Sequence, residues 1–124
     1  MKVLFIQEQT FLATALRLAF ITKGYDLHVS NENISPETTI EAYNPSIIIA
    51  DITKGRGYNY VEEAKRKNVP VIVICNNAGE NNFEKAIDKG ANDYLSMPLS
   101  FAELVLKVNT LTQNSPALMP ILNS

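Results

Sequence analysis

A single α/β domain, built on one five-stranded parallel sheet wound on both faces in the flavodoxin-like manner, follows from three features of the 124-residue sequence. First, short apolar, β-branched runs alternate five times with segments of helical period, the order that makes a parallel sheet. Second, the runs "SIIIA" and "VIVI" lack polar alternation, as strands covered on both faces require. Third, the main runs end on polar or reactive residues: Gln7, Asp51 and Cys75. In open sheets with right-handed crossovers, ligands sit beyond the carboxyl ends of the strands.

Each element can be justified in order. "KVLFI" (Lys2 to Ile6) reads as a buried first strand. From Thr10 the period becomes helical, with Phe11, Leu12, Ala15, Leu16, Leu18 and Ala19 on the repeat and Gly24 at the C-cap. "YDLHV" is a second strand. Ser35 as N-cap and Pro36 at the first helical position open the second helix. It closes near Asn44, because the residue before Pro45 avoids the α region. "SIIIA" is the third strand. "TKGRGYN" reads as a glycine-bearing loop, followed by a short helix over "YVEEAKRKN" with Glu62–Arg66 and Glu63–Lys67 spaced for i,i+4 pairs. "VPVIVI" is the fourth strand and "NNAGENN" a loop. "FEKAIDKG" is a helix expected to turn Phe83, Ala86 and Ile87 inward and to end at Gly90. "NDYLS" is a short fifth strand. Ser100 and Glu103 form a capping box that opens the last helix, with Phe101, Leu104, Val105, Val108 and Leu111 on one face. The domain is expected over residues 1–112. Residues 113–124 carry two prolines and no period, and read as a linker or C-terminal tail.

Composition removes several function classes. Apolar residues make up 46% and charged residues 19%, ordinary values for a globular chain. A net charge of −2 offers no basic surplus for a phosphate backbone, so direct nucleic-acid binding is not expected. One cysteine excludes an internal disulfide and suits a reducing compartment. "MKVLFIQEQ" turns polar too early for a signal peptide, and no apolar run could span a bilayer, so a cytoplasmic domain without membrane contact is expected. His28 has no Cys or His partner at metal spacing. The "KGRG" loop has neither a Walker nor a dinucleotide pattern. No nucleophile–base pair stands out, so an enzyme is not expected.

Gln7 and Glu8 after the first strand, Asp51 after the third, Cys75 after the fourth and Met97 after the fifth should converge on one crevice. Four stretches carry a family resemblance over about Lys2 to Thr112: "KGY" closing the first helix, "NPSIIIADI" with Pro45 six residues before Asp51, "VPVIVI", and above all "KGANDYLSMPLSFAEL". The chain resembles the CheY-like receiver domains of two-component response regulators. A flavodoxin would need a phosphate loop after the first strand, and a cobalamin domain an Asp-x-His-x-x-Gly loop; neither is present.

The resemblance implies a specific chemistry. Two acids after the first strand hold a divalent ion, an aspartate after the third accepts a phosphoryl group, and a hydroxyl and a lysine after the fourth and fifth bind its oxygens. Asp51 matches the phosphoacceptor and Glu8 the second acid; Tyr94 matches the family's switch aromatic. Three positions depart: Gln7 replaces the first acid, Cys75 the hydroxyl, and Met97 the lysine before Pro98, a step the family usually makes cis. Mg²⁺ prefers hard oxygen ligands. Glu8, Asp51 and the carbonyl of Thr53 could supply three, in a site that Gln7 weakens by one charge. Asp51 is expected in an open, acidic crevice with Glu8. Without the lysine relay, Tyr94 is expected to keep one rotamer. The bland reading makes Cys75 a small packing residue and Met97 apolar filler.

The expected function is that of a receiver-type module of a two-component phosphorelay, with Asp51 as candidate phosphoacceptor in a degenerate pocket. The alternative is a phosphorylation-independent pseudo-receiver that acts as a protein–protein interaction domain. The resemblance implies a sensor histidine kinase or another signalling protein as partner. It also implies a homodimer, in the manner of OmpR-like transcription factors, through the fourth helix, fifth strand and fifth helix. Lys85, Lys89, Asp93, Glu103 and Lys107 are the charges on that face; Glu103 and Lys107 are also spaced for a local i,i+4 pair.

Overall fold

Five parallel strands lie in the order β2-β1-β3-β4-β5, in a computed structural model that describes residues 1–7, 11–30, 34–76 and 80–113. The elements alternate strictly: β1 (Lys2–Ile6), α1 (Phe11–Ile21), β2 (Asp26–Val29), α2 (Pro36–Tyr43), β3 (Ile47–Asp51), α3 (Gly57–Arg66), β4 (Val71–Cys75), α4 (Glu80–Lys89), β5 (Asp93–Ser96) and α5 (Phe101–Thr112). The chain order reverses about β1, which β2 and β3 flank, and that reversal opens a crevice at the strands' carboxyl ends. Register keeps those ends level. Ile6 pairs with Ala50, Asp51 with Ile74, and Cys75 with Ser96.

Two apolar layers cover the sheet. Leu12, Leu16 and Phe20 of α1 and Leu104, Val105 and Val108 of α5 pack on one face with Val3, Phe5, Ile47, Ile49, Ile72 and Ile74. Ile40, Tyr58, Tyr60, Val61, Ala64 and Ala86 of the other three helices pack on the opposite face with Leu4, Ile6, Ile48, Ala50 and Val73. Alternate residues of each central strand thus feed opposite layers, as the unbroken apolar runs require.

Helix ends follow local chemistry. The Ser35 hydroxyl accepts from the Thr38 N–H at 3.2 Å, and Asn44 closes α2 in the left-handed region at φ 54°. The Ser100 hydroxyl accepts from the Glu103 N–H at 3.2 Å and starts α5, which closes at Thr112 with Gln113 as its cap. The residues beyond Gln113 read as a tail lie outside the described residues.

Five expectations are corrected. α3 begins at Gly57, not Tyr60, because Gly57 can tuck against the Asp51 backbone and let the helix start at once. α4 begins at Glu80, not Phe83; its first turn is polar, so periodicity could not reveal it. Leu18 is 66% exposed, since the inward stripe of α1 runs through Leu12, Leu16 and Phe20. Ile87 is 42% exposed on α4, where Ala86 and Phe83 turn inward. Glu62 pairs with Lys89 of α4 at 3.1 Å instead of with Arg66, which turns to Glu63 at 3.3 Å; Glu63 also meets Lys67 at 3.9 Å, as its spacing predicts.

Candidate functional site

Asp51 is the last residue of the central strand β3, and it is fully buried. Its position corrects the expectation of an open crevice. The cause is local: Thr53 folds back over the carboxylate, so that Oδ1 accepts from the Thr53 N–H at 2.9 Å and from its hydroxyl at 2.6 Å. This is the turn that an aspartate makes with the backbone two residues on. The Thr53 Oγ1 in turn accepts from the Asn76 N–H at 2.9 Å, just past the end of β4. A chain of hydrogen bonds therefore runs from Asn76 through Thr53 to Asp51 and ties the two strand ends together. The sequence assigned Thr53 only a carbonyl; the Asp-x-Thr spacing could have pointed to its hydroxyl.

Cys75 closes β4 and is fully buried in the layer under α3 and α4. The Asn82 side-chain amide lies 3.7 Å from its sulfur, and the Tyr58 hydroxyl donates to the Asn82 carbonyl at 3.2 Å. Burial, and then the neighbouring Cys75, raise the Tyr58 pKa above its ordinary value. Met97 is half-buried and packs against the layer under α1 and α5. Its N–H donates to the Cys75 carbonyl at 3.2 Å, and the Met97–Pro98 peptide is cis, as the resemblance implies. The end of β5 therefore presents a thioether where an ammonium is implied.

Gln7 follows β1, and its Oε1 is buried with no hydrogen-bond partner among the described residues. Its carbonyl accepts from Arg56 Nη1 at 3.4 Å, while Arg56 Nη2 donates to the Ser30 hydroxyl at 3.3 Å. Glu8 lies outside the described residues. Among the described residues, no group of three or more His, Cys, Asp or Glu side chains could hold a metal ion. Of the described residues, the oxygen donors that the resemblance assigns to a Mg²⁺ ion are the Asp51 carboxylate, whose Oδ1 already accepts twice, and the Thr53 carbonyl.

Sequence reading missed two further residues here. Gly57 is buried where a Cβ would collide with the Asp51 carbonyl oxygen, so only glycine lets the strand end and the helix start approach this closely. Arg56 carried no sequence signal, because its contacts at Gln7 and Ser30 are distant in the chain.

Tyr94 stands at the position that the resemblance gives to a switch aromatic. Tyr94 is 47% exposed and stacks on Phe83, with ring centroids 4.4 Å apart at 23°. Lys107 pairs with Asp93 at 2.7 Å, a bond that raises the lysine pKa. This contact replaces the local Glu103–Lys107 pair suggested by spacing. Lys89 reaches Glu62, and Lys85 lies 4.5 Å from the Tyr58 ring centroid. Glu103 is exposed in the first turn of α5. His28 stacks on Tyr43, with ring centroids 4.7 Å apart. No helix among the described residues is long and apolar enough to cross a membrane.

Comparison with known proteins agrees with this geometry. The family model of the response regulator receiver domain matches residues 3–109. The transcriptional regulatory protein BasR of Escherichia coli is 27% identical over 115 residues, 90% of this chain and 52% of BasR. The chain spans about half the length of the curated relatives it matches. Among solved structures, the receiver domain of a Francisella response regulator superposes with a TM-score of 0.76 at 24% identity, covering 90% of this chain and 96% of that one. The receiver domain of a Pseudomonas aeruginosa sensor histidine kinase, with a magnesium ion coordinated in its active-site cleft, gives 0.78 at 22% identity, covering 91% and 98%. Both structures share the five-stranded parallel fold.

Proposed function

The chain belongs to the response regulator receiver domain family, and from that premise we propose that it is a two-component signalling module whose candidate phosphoacceptor, Asp51, is phosphorylated slowly or not at all. On this reading it works as a pseudo-receiver, passing its signal through protein–protein contact. The observation that carries the reading is the end of β5. Met97 packs into the layer under α1 and α5, at the position where the family implies a phosphoryl-binding lysine.

Phosphoryl transfer depends on positioning and on neutralising charge at the phosphoryl oxygens. Here the β5 position offers no positive charge, and Cys75 at the β4 position is a buried thiol, a weak donor beside a hydroxyl. Asp51 itself is occupied by Thr53, so an incoming phosphodonor meets a carboxylate that already accepts two hydrogen bonds. A Mg²⁺ ion would have Glu8, Asp51 and the Thr53 carbonyl to draw on, which supports weak binding at most.

The proposed partner is a sensor histidine kinase or another cytoplasmic signalling protein. The proposed contact surface is the α4–β5–α5 face, where Tyr94 and Ile87 are exposed and a second copy of the chain could also dock.

The test is mass spectrometry after incubation with Mg²⁺ and acetyl phosphate. The parent chain should gain little or no phosphate, whereas the combined Gln7→Asp, Cys75→Thr and Met97→Lys variant should be modified on Asp51. Asp51→Asn in the parent should leave the signalling output nearly unchanged. Uptake by the parent as ready as by the triple variant, or loss of output in Asp51→Asn, overturns the proposal.

A further inference from the structure

Two surface grooves adjoin at β5. Phe83, Glu84, Ile87 and Asp88 of α4 line the first together with Tyr94. Tyr94 also lines the second, where Asp93, Glu103 and Lys107 are the charged groups. The first groove has an apolar centre. Tyr94 is exposed and stacks on Phe83 with ring centroids 4.4 Å apart, and Ile87 beside them is exposed as well. A single exposed apolar residue means little, but an aromatic pair and an isoleucine in one groove make a patch rimmed by polar groups, the form of a docking surface.

Charge selects what can occupy it. Glu84 and Asp88, four residues apart on α4, are exposed at the groove, and among the described residues neither makes an ion pair. Lys85 and Lys89 line neither groove and turn toward α3: Lys85 Nζ lies 4.5 Å from the Tyr58 ring centroid, and Lys89 Nζ lies 3.1 Å from Glu62 Oε2. Lys65 of α3 packs against Gly90, just past the helix. The remaining charge of α4, Glu80, is also acidic. Lys107 bonds Asp93 at 2.7 Å. The two grooves thus carry four carboxylates, Glu84, Asp88, Asp93 and Glu103, against one lysine, a net of three negative charges. A second copy docked about a two-fold axis would lay this surface on itself, like sign against like. A cationic group is drawn here twice over, by the carboxylates and by the exposed aromatic ring. Arginine, planar and weakly hydrated, suits both contacts at once.

We propose that the α4–β5–α5 face receives a basic, amphipathic segment of another protein. An apolar side chain of that segment packs on Ile87 and Tyr94, and its arginine or lysine side chains pair with Glu84 and Asp88. The inference names the class of partner for the contact surface proposed above and rests on that reading for the use of this face.

The probe is a fluorescently labelled peptide of leucine and arginine at amphipathic helical spacing, titrated with the full chain. Anisotropy gives its affinity and amide NMR shifts map where it binds. The shifts should centre on Glu84, Ile87, Asp88 and Tyr94, and binding should weaken as salt rises. Glu84→Lys combined with Asp88→Lys should bind at least about tenfold more weakly than the parent. A peptide with glutamate in place of arginine should prefer that double variant to the parent. If the double variant does not fold, Glu84→Gln with Asp88→Asn should show a loss of at least about threefold. Glu37→Lys with Glu41→Lys makes the same change of total charge at exposed positions of α2 and should bind like the parent. Equal weakening by the two lysine pairs, or shifts centred elsewhere, overturns the inference, because net charge and not this face then attracts the peptide. A parent dimer in sedimentation that Glu84→Lys with Asp88→Lys dissociates makes a second copy the occupant and also overturns it. Phosphate uptake separates the two readings. Ready uptake on Asp51 with the peptide bound at this face refutes slow phosphorylation and keeps the inference, whereas no uptake with the peptide bound elsewhere refutes the inference alone.

Discussion

Adding one methyl group at Gly57 should destabilise the domain, although the same change in an ordinary helix would stabilise it. Gly57 is the first residue of α3 and is buried. An ideal Cβ there collides with the Asp51 carbonyl oxygen, and lies 2.9 Å from the Asp51 carbonyl carbon and 3.0 Å from Ile52 Cγ2. Carbon atoms rest about 3.5–4.0 Å apart, so the turn must open by roughly half an ångström or more. The obstacle is backbone. Asp51 pairs with Ile74 in the ladder, and the Ile52 N–H donates to the Ile74 carbonyl at 2.9 Å, so relief requires moving the end of the central strand.

Overpacking of this kind costs about 1–3 kcal/mol. Replacing glycine by alanine in a helix returns at most about 1 kcal/mol. Because the clash is with backbone, the upper half of the overpacking range applies, and the net loss is about 1–2 kcal/mol, which for a chain of this size lowers Tm by roughly 3–10 °C. Far-UV circular dichroism during thermal unfolding measures the shift, and the NMR amides of Thr53 and Asn76 should move with it. Gly55→Ala is the control: Gly55 has φ +94° and open space around its missing Cβ. It should lose stability through backbone strain alone and leave those amides in place. An unchanged or higher Tm for Gly57→Ala refutes the packing argument.

Three further outcomes are expected. Burial first, and then the negative charge of Asp26, push the Tyr43 pKa up to about 12, so the folded state disfavours its ionised form. The resulting stability is fully present below pH 10 and is lost as pH climbs from about 10 toward 12; absorbance titration at alkaline pH should show a late-titrating component that Tyr43→Phe removes. Tyr94 should keep its outward stack on Phe83 when beryllofluoride is added, and an NMR signature of the ring turning inward would contradict this. If the α4–β5–α5 face joins two copies, Lys107→Glu should break its 2.7 Å bond to Asp93 and lower the dimer fraction in sedimentation, whereas a parent chain that is monomeric at high concentration removes the homodimer.

The five strands and the doubly wound parallel sheet were legible because short apolar runs alternate with segments of helical period. The helices were legible only where an apolar stripe marked them. The first turn of α4 is Glu80-Asn81-Asn82, with no apolar residue to reveal it, and Gly57 resembled loop material until the Asp51 backbone was seen beside it. Long side chains were the least legible. Glu62 chose Lys89 over its i,i+4 neighbour, and Arg56 reached Gln7, 49 residues away in the sequence, because the fold brings those surfaces together. At the site, the resemblance supplied the residue types, and burial supplied what it could not. Asp51 is closed off by Thr53, two residues further on; the Asp-x-Thr spacing permits that turn but does not show that it buries the carboxylate.

The contacts at Asp51 bear on how such a module could switch. Driving a two-state domain from about 1% to about 99% active takes roughly 5.5 kcal/mol of differential stabilisation. A hydrogen bond to a charged group contributes about 1.5–3 kcal/mol, so a lysine and a hydroxyl on the phosphoryl group could supply most of it. Met97 and Cys75 stand at those two positions, one packed against the α1–α5 layer and the other fully buried. The hydroxyl that does reach Asp51, that of Thr53, is already joined to the end of β4 through Asn76 with no phosphoryl group present. On the pseudo-receiver reading proposed above, phosphate on Asp51 would gain little that the resting site lacks, and the balance between states would be set by whatever binds the exposed α4–β5–α5 face. Affinity for that partner should therefore be the same for the parent and Asp51→Asn, and should change when Tyr94 or Ile87 is altered.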